Sequence, residues 1–150
     1  MSKKRILIKE DVCVGCRLCE VYCLVQHSKS KKILKAYKGE YPRSTPRILV
    51  EEKGHISFAI QCRHCDDAPC LAACPTGAMY RDPETEAILC DENKCIGCWM
   101  CIMVCPFGAI SRGTECKVVS KCDLCLGEDI PACVKNCPNE ALVVVEAKEK

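Results

Sequence analysis

Aromatic residues are scarce in this chain: one Trp, two Phe and four Tyr among 150 residues. The 49% hydrophobic fraction includes eighteen cysteines, so the ordinary apolar core is thin and something else must fill the interior. No apolar run approaches the roughly 18 residues of a membrane-spanning helix. Charge of one sign is missing too. The 22 basic and 20 acidic residues leave a net +2, which gives no global electrostatic case for nucleic acid. The segment from Met1 to Lys9 has too short an apolar stretch for a secretory signal and no twin arginine. A cytoplasmic location is expected, where thiols stay reduced, unless the chain is exported bound to another subunit. No nucleophilic triad, phosphate-binding loop or flavin site is visible, so the chain by itself is expected to catalyse nothing.

Cysteine is what the chain has in excess. Sixteen of the eighteen fall into four quartets with ligand-type intervals. The clearest is Cys95-Ile-Gly-Cys98-Trp-Met-Cys101-Ile-Met-Val-Cys105-Pro106. This is the bacterial ferredoxin run for a [4Fe–4S] cluster, whose fourth cysteine ligates the neighbouring cluster in two-cluster proteins. A structural zinc site prefers two separated Cys-x-x-Cys pairs around a tetrahedral ion and fits this run poorly. A disulfide framework has no reason to repeat Cys-x-x-Cys four times.

The first quartet is Cys13, Cys16, Cys19 and Cys23, with Gly15 where a tight turn suits a residue without a side chain. The second is Cys62, Cys65, Cys70 and Cys74, with Asp66-Asp-Ala-Pro69 in its wider gap. The fourth is Cys122, Cys125, Cys133 and Cys137, with a seven-residue gap. Taken alone it resembles a zinc ribbon; beside three others and followed by Pro138, it reads as a further cluster run. After Cys74 and Cys105 the chain repeats a pattern: Pro-x-Gly-Ala-apolar. Cys90 and Cys116 are left over and read as buried, inert thiols.

Strands are expected at Arg5–Lys9 and Val143–Val145, with a hairpin over 47–60 and short strands at 79–80 and 87–90. The stretch 29–38 carries Lys29, Lys31, Lys32, Lys35 and Lys38. It reads as a solvated basic loop or helix, with a docking patch for an acidic redox partner as the sharper alternative. His27 and His55 read as surface residues, since neither has metal-ligand spacing.

A short strand–turn–strand joins the second and third quartets, as in an ordinary two-cluster ferredoxin. Crossing over their last cysteines gives one cluster on Cys62, Cys65, Cys70 and Cys105 and another on Cys95, Cys98, Cys101 and Cys74. The first and fourth quartets pair by elimination, helped by the strands at the two ends of the chain. They give clusters on Cys13, Cys16, Cys19 and Cys137 and on Cys122, Cys125, Cys133 and Cys23. The expected fold class is α+β, with small antiparallel sheets, short helices and many loops. It is one polyferredoxin domain in which an outer unit (5–30 plus 114–146) receives an inserted unit (about 56–113).

These motifs resemble the four-cluster iron–sulfur subunits of dimethyl sulfoxide reductase, formate dehydrogenase and related molybdenum or tungsten enzymes. The small electron-transfer proteins that accompany carbon monoxide dehydrogenase are particularly similar. The resemblance runs over nearly all of residues 5–145. It rests on the paired runs, Gln61-Cys62-Arg-His-Cys65, Ala68-Pro-Cys70 and Lys121-Cys122-Asp-Leu-Cys125. It implies the same first-with-fourth and second-with-third pairing. It further implies an electron-transfer subunit with four [4Fe–4S] clusters, working between a larger catalytic subunit and a redox acceptor or donor. Carbon monoxide dehydrogenase, an aldehyde or formate oxidoreductase, a hydrogenase and a flavin-dependent NAD(P) reductase are the partners it suggests. The competing readings are a zinc-bound interaction module, a free ferredoxin serving several enzymes, and an enzyme subunit with one labile cluster at the fourth quartet.

Overall fold

The computed structural model describes residues 3–113 and 117–147; Cys116 and the first residues of the expected outer segment 114–146 lie outside them. The chain forms an α+β fold of two-stranded antiparallel sheets and short helices. Strand β1 (Lys3–Ile8) pairs antiparallel with β8 (Leu142–Ala147), Ile8 opposite Leu142 and Arg5 opposite Val145. Alternation sets the faces of β1: Ile6 and Ile8 pack inward, whereas Leu7 between them is 50% exposed.

Strands β2 (Ile48–Lys53) and β3 (Ile56–Gln61) form the expected hairpin. Strands β4 (Met79–Arg81) and β5 (Ile88–Cys90) pair as anticipated. The partner of β6 (Ile110–Arg112) is β7 (Val119–Lys121), a strand that the sequence reading did not contain.

Helix α1 (Leu18–Gln26) starts inside the first quartet and α4 (Met100–Val104) inside the third. Each is preceded by a residue in the left-handed region, Arg17 at φ 58° and Trp99 at φ 63°. The repeated cysteine spacing thus produces a repeated turn-into-helix. Helices α3 (Pro69–Ala72) and α5 (Ala132–Lys135) follow the wider gaps, and proline stands at the start of each, where a missing N–H costs nothing.

Among the described residues two of the three apolar clusters gather cysteines with aliphatic side chains. In one, Ile48, Val50, Ala59 and Leu142 pack with Cys19, Cys23 and Cys133. In the other, Met79, Ile88, Ile110 and Val119 pack with Cys70 and Cys101. Helix α1 lies against α5, and α3 against α4. Each fully buried aliphatic side chain contributes about 1.5–3 kcal/mol. Their small number leaves cysteines occupying much of each core.

The basic stretch is fastened rather than loose. Helix α2 (Ile33–Lys38) buries Ala36 against Leu24 and Val25. The turn before it is held by the Ser28 hydroxyl, which donates to the Val25 carbonyl at 2.6 Å, and by the Glu40 carboxylate, which accepts from the Lys29 and Ser30 amides. Lys29, Lys31, Lys32, Lys35 and Lys38 stay exposed or half-exposed around it.

Candidate metal centre

Gly15 and Gly97 sit at the same place in the first and third runs, at φ +65° and +68°. Both are crowded as well as left-handed. A Cβ on Gly15 would stand 3.2 Å from Cβ of Ser57, and one on Gly97 would collide with the carbonyl of Lys117. Glycine lets the backbone turn sharply there, so that three closely spaced thiols face one volume.

Two cavities take in cysteines from distant parts of the chain. Cys13, Cys16, Cys19 and Cys137 line one cavity, walled by Val50, Ala59 and Leu142. Cys62, Cys65, Cys70 and Cys105 line another, walled by Ile88 and Ile110. Burial pushes the Cys133 thiol up, and Cys122, Cys23, Cys125 and Cys19 lie close enough to add to the shift; at Cys101 burial acts with Cys95 and Cys98 nearby. Cys90, whose pKa burial pushes up to about 12, stands beside Cys95, Cys101 and Cys74.

Burial also pushes the thiol pKa values up to about 12 for Cys19 and Cys122 and to about 11 for Cys101. These thiols keep their protons at neutral pH until a cation displaces them. Cys74 is shifted the other way. Burial alone would raise it, but hydrogen bonding by the Met79 amide and by Thr76 outweighs that.

Backbone amides point at the sulfurs. Arg47 N donates to Cys23 Sγ at 3.2 Å, His64 N to Cys62 Sγ at 3.4 Å, Leu124 N to Cys122 Sγ at 3.4 Å and Met79 N to Cys74 Sγ at 3.5 Å. A glycine-containing turn is a natural source of such donors. Of these four, only Met79 follows one, the turn at Gly77. His64 and Leu124 are the second residues after the first cysteine of their quartets, and both have positive φ.

His27 departs from the sequence expectation. His55 is exposed near the tip of the β2–β3 hairpin, but the His27 side chain is only 12% exposed. Its Nδ1 lies 2.8 Å from the Cys23 carbonyl oxygen and 3.8 Å from Cys23 Sγ, and its Nε2 lies 3.1 Å from Asp123 Oδ1. The Arg47 guanidinium donates to the other Asp123 oxygen at 2.6 Å. Burial alone would lower the His27 pKa; the bonds to Asp123 and Cys23 outweigh it and raise the value to about 9. Burial would raise that of Asp123, but His27 and Arg47 hold it well below the usual carboxylate range. His27, Asp123 and Cys125 offer ligand atoms within 4.8 Å of one another. Since Arg47 and His27 already satisfy Asp123, this is a charge network beside the fourth quartet. Spacing could not have exposed it, because its members come from three separate segments.

The arrangement fits a thiolate-held iron–sulfur centre. The cavities present sulfur donors against apolar walls, and peptide N–H groups are aimed at sulfur.

Comparison with known proteins agrees with this donor set. Over 163 aligned residues the chain is 37% identical to an iron-sulfur protein of Rhodospirillum rubrum, covering 96% of this chain and 84% of that one. It is 36% identical to the electron transport protein HydN of Escherichia coli (strain K12), covering 94% and 87%. AegA of the same organism is also 36% identical over 93% of this chain, but the chain spans only 21% of AegA. The first two are named as iron–sulfur or electron-transport proteins rather than enzymes, consistent with a non-catalytic component. Among solved structures, a chain of the active site complex BamBC of benzoyl coenzyme A reductase aligns with a TM-score of 0.54 at 26% identity, covering 96% of this chain and 77% of that one. Residues 54–147, which hold the second, third and fourth quartets, match the family described as 4Fe-4S dicluster domain, and the chain belongs to that family.

Proposed function

We propose that the chain is an electron conduit. It would carry four [4Fe–4S] clusters and pass electrons between a catalytic oxidoreductase subunit and a redox acceptor or donor in the cytoplasm. Cys13, Cys16, Cys19 and Cys137 would hold the first cluster, and Cys122, Cys125, Cys133 and Cys23 the second. Cys62, Cys65, Cys70 and Cys105 would hold the third, and Cys95, Cys98, Cys101 and Cys74 the fourth. Each cluster, when bound, supplies a one-electron couple. The architecture would then be one ferredoxin unit, about 56–113, inserted into another, 5–30 plus 114–146.

The observation that carries this reading is the lining of the two cavities. Each gathers three cysteines of one quartet and the last cysteine of a different quartet, as expected where neighbouring clusters exchange their fourth ligand. The protein's part is to supply thiolates, to aim amides at them and to set how much water reaches each site. Cys16 and Cys98 are exposed, so the centres they belong to lie nearest the surface. A catalytic partner is supported by the neighbouring folds: the aligned chain in benzoyl coenzyme A reductase belongs to an active-site complex. A relative 34% identical over 91% of this chain is named as the electron transfer subunit of a thiosulfate reductase. Carbon monoxide dehydrogenase, an aldehyde or formate oxidoreductase, or a hydrogenase would suit the same role, with a flavin NAD(P) reductase as a further partner.

Anaerobic purification with iron and sulfide analysis tests the cofactor count. About sixteen irons per chain are expected, as four cubanes require; a zinc-loaded chain, or one with half that iron, overturns the four-cluster reading. Affinity capture of the tagged chain from its host, followed by mass spectrometry, tests the partner. Recovery of a metal- or flavin-containing oxidoreductase is expected, and an iron-loaded chain recovered alone would make it a diffusing ferredoxin.

A further inference from the structure

One buried cation stands on β7, which packs against β5. Lys121, the last residue of β7, is 4% exposed. Its Nζ donates to the Ile88 carbonyl of β5 and, at 3.2 Å, to the Cys122 carbonyl. Among the described residues no Asp or Glu lies within ion-pair distance of it. A buried ammonium that meets only carbonyl dipoles is costly unless an anion lies close by.

The same residue of β5 holds a second donor in place. The Ile88 amide donates to Nδ1 of His64 at 3.0 Å. In the neutral ring this places the remaining proton on Nε2. His64 is 1% exposed, and its Nε2 has no hydrogen-bond partner among the described residues. Two buried donors, an ammonium and an N–H, therefore flank Ile88, and among the described residues neither is bonded to a carboxylate. Ile88 itself lines the cavity of Cys62, Cys65, Cys70 and Cys105. After burial, Lys121 is the strongest influence on the Cys70 thiol, and the His64 amide already bonds Cys62 Sγ.

We propose that Lys121, assisted by the Nε2–H of His64, is a positioning charge for the cluster of Cys62, Cys65, Cys70 and Cys105, raising the electron affinity of that cluster where the inner and outer quartet pairs meet. The proposal rests on the four-cluster reading above. A cubane with four thiolates is anionic and gains one further negative charge when it takes up an electron, with no bond made or broken. Net charge and hydrogen bonds to sulfur are among the determinants of its potential. A fixed cation in a water-poor interior favours the reduced form far more than the same cation would at the surface.

The test is an anaerobic redox titration followed by electron paramagnetic resonance, with iron and sulfide measured on the same samples. Lys121→Met and Lys121→Gln are each expected to weaken electron binding at one couple at least tenfold, about 59 mV downward for a one-electron couple, with iron content unchanged. Lys121→Arg should return most of the shift, and His64→Phe should lower the same couple by less. Lys121→Gln keeps an uncharged N–H donor on the side chain and is the variant to read should the Met variant fail to fold. If every couple of a fully iron-loaded Lys121→Gln chain matches the wild type, the positioning role is overturned and the conduit stands. A wild-type chain without clusters would instead overturn the conduit.

Discussion

The Nε2 atom of His27 stands 3.1 Å from Oδ1 of Asp123, and that bond ties the segment after α1 to the turn of the fourth quartet. Its pH dependence follows from the two shifts. The His27 contribution is complete below the ordinary value of 6.5 and is lost as the pH rises through about 9. The Asp123 contribution is present above 3.8 and is lost only as the solution becomes strongly acid. The thermal midpoint of the holoprotein is therefore expected to fall between pH 6.5 and 9, and that of His27→Gln to stay flatter over the same window. Parallel curves for the two proteins would show that the bond contributes nothing to stability.

Gly97→Ala should damage the third run more than Gly77→Ala damages the turn after the second. Both glycines have left-handed φ, which costs an alanine about 1–2 kcal/mol. Only at Gly97 would the added methyl also strike a backbone carbonyl, that of Lys117, whereas nothing lies within 4 Å at Gly77. Denaturant midpoints and retained iron per chain measure the difference. Equal losses at the two positions would mean that φ alone decides.

Ile48 is 2% exposed in the core that also holds Cys19, Cys23 and Cys133. Ile48→Ala should cost about 2–5 kcal/mol. The control is Leu34→Ala in α2, 74% exposed, which should stay within about 0.5 kcal/mol of wild type. Urea titration of the iron-loaded protein compares them, and similar midpoints would place the stabilising contacts elsewhere.

Stripping the iron should unfold the chain. Cysteines make up a large part of both apolar clusters, and buried thiols without a metal leave each core with few large aliphatic side chains. The binding energy of a thiolate-held metal is then largely folding energy. Near-ultraviolet dichroism and amide exchange after chelation in acid read this out. Slow exchange surviving in β2 and β3 would show that the hairpin stands without the metal.

The cysteine spacing made much of this architecture legible before any coordinates. Quartet spacing is local and its chemistry restrictive, so it pointed to the metal and to the turn at Gly15. The strands at Arg5–Lys9 and Val143–Val145 stood out because short aliphatic, β-branched runs beside charged residues have few other uses. Strand β7 was invisible, since Val119, Ser120 and Lys121 are too few to show alternation and a lysine reads as a surface residue. The burial of Lys121 depends on Ile88, a residue far away in sequence. His27 was misplaced for the same reason: its side-chain partner Asp123 lies 96 positions away. Pairings of that kind come from tertiary structure, which no local pattern encodes.

The closure of the first strand on the last sets an order of events during synthesis. A chain grows from its N-terminus at about 5–20 residues per second. Lys3 to Ile8 must wait for residues 142–147 before their sheet can form. The pairs β2–β3, β4–β5 and β6–β7 are complete by residue 121. Until residues 142–147 are made, Cys13 to Cys23 stand beside an unpaired strand, so these thiols gain their shelter only after the intervening hairpins have closed.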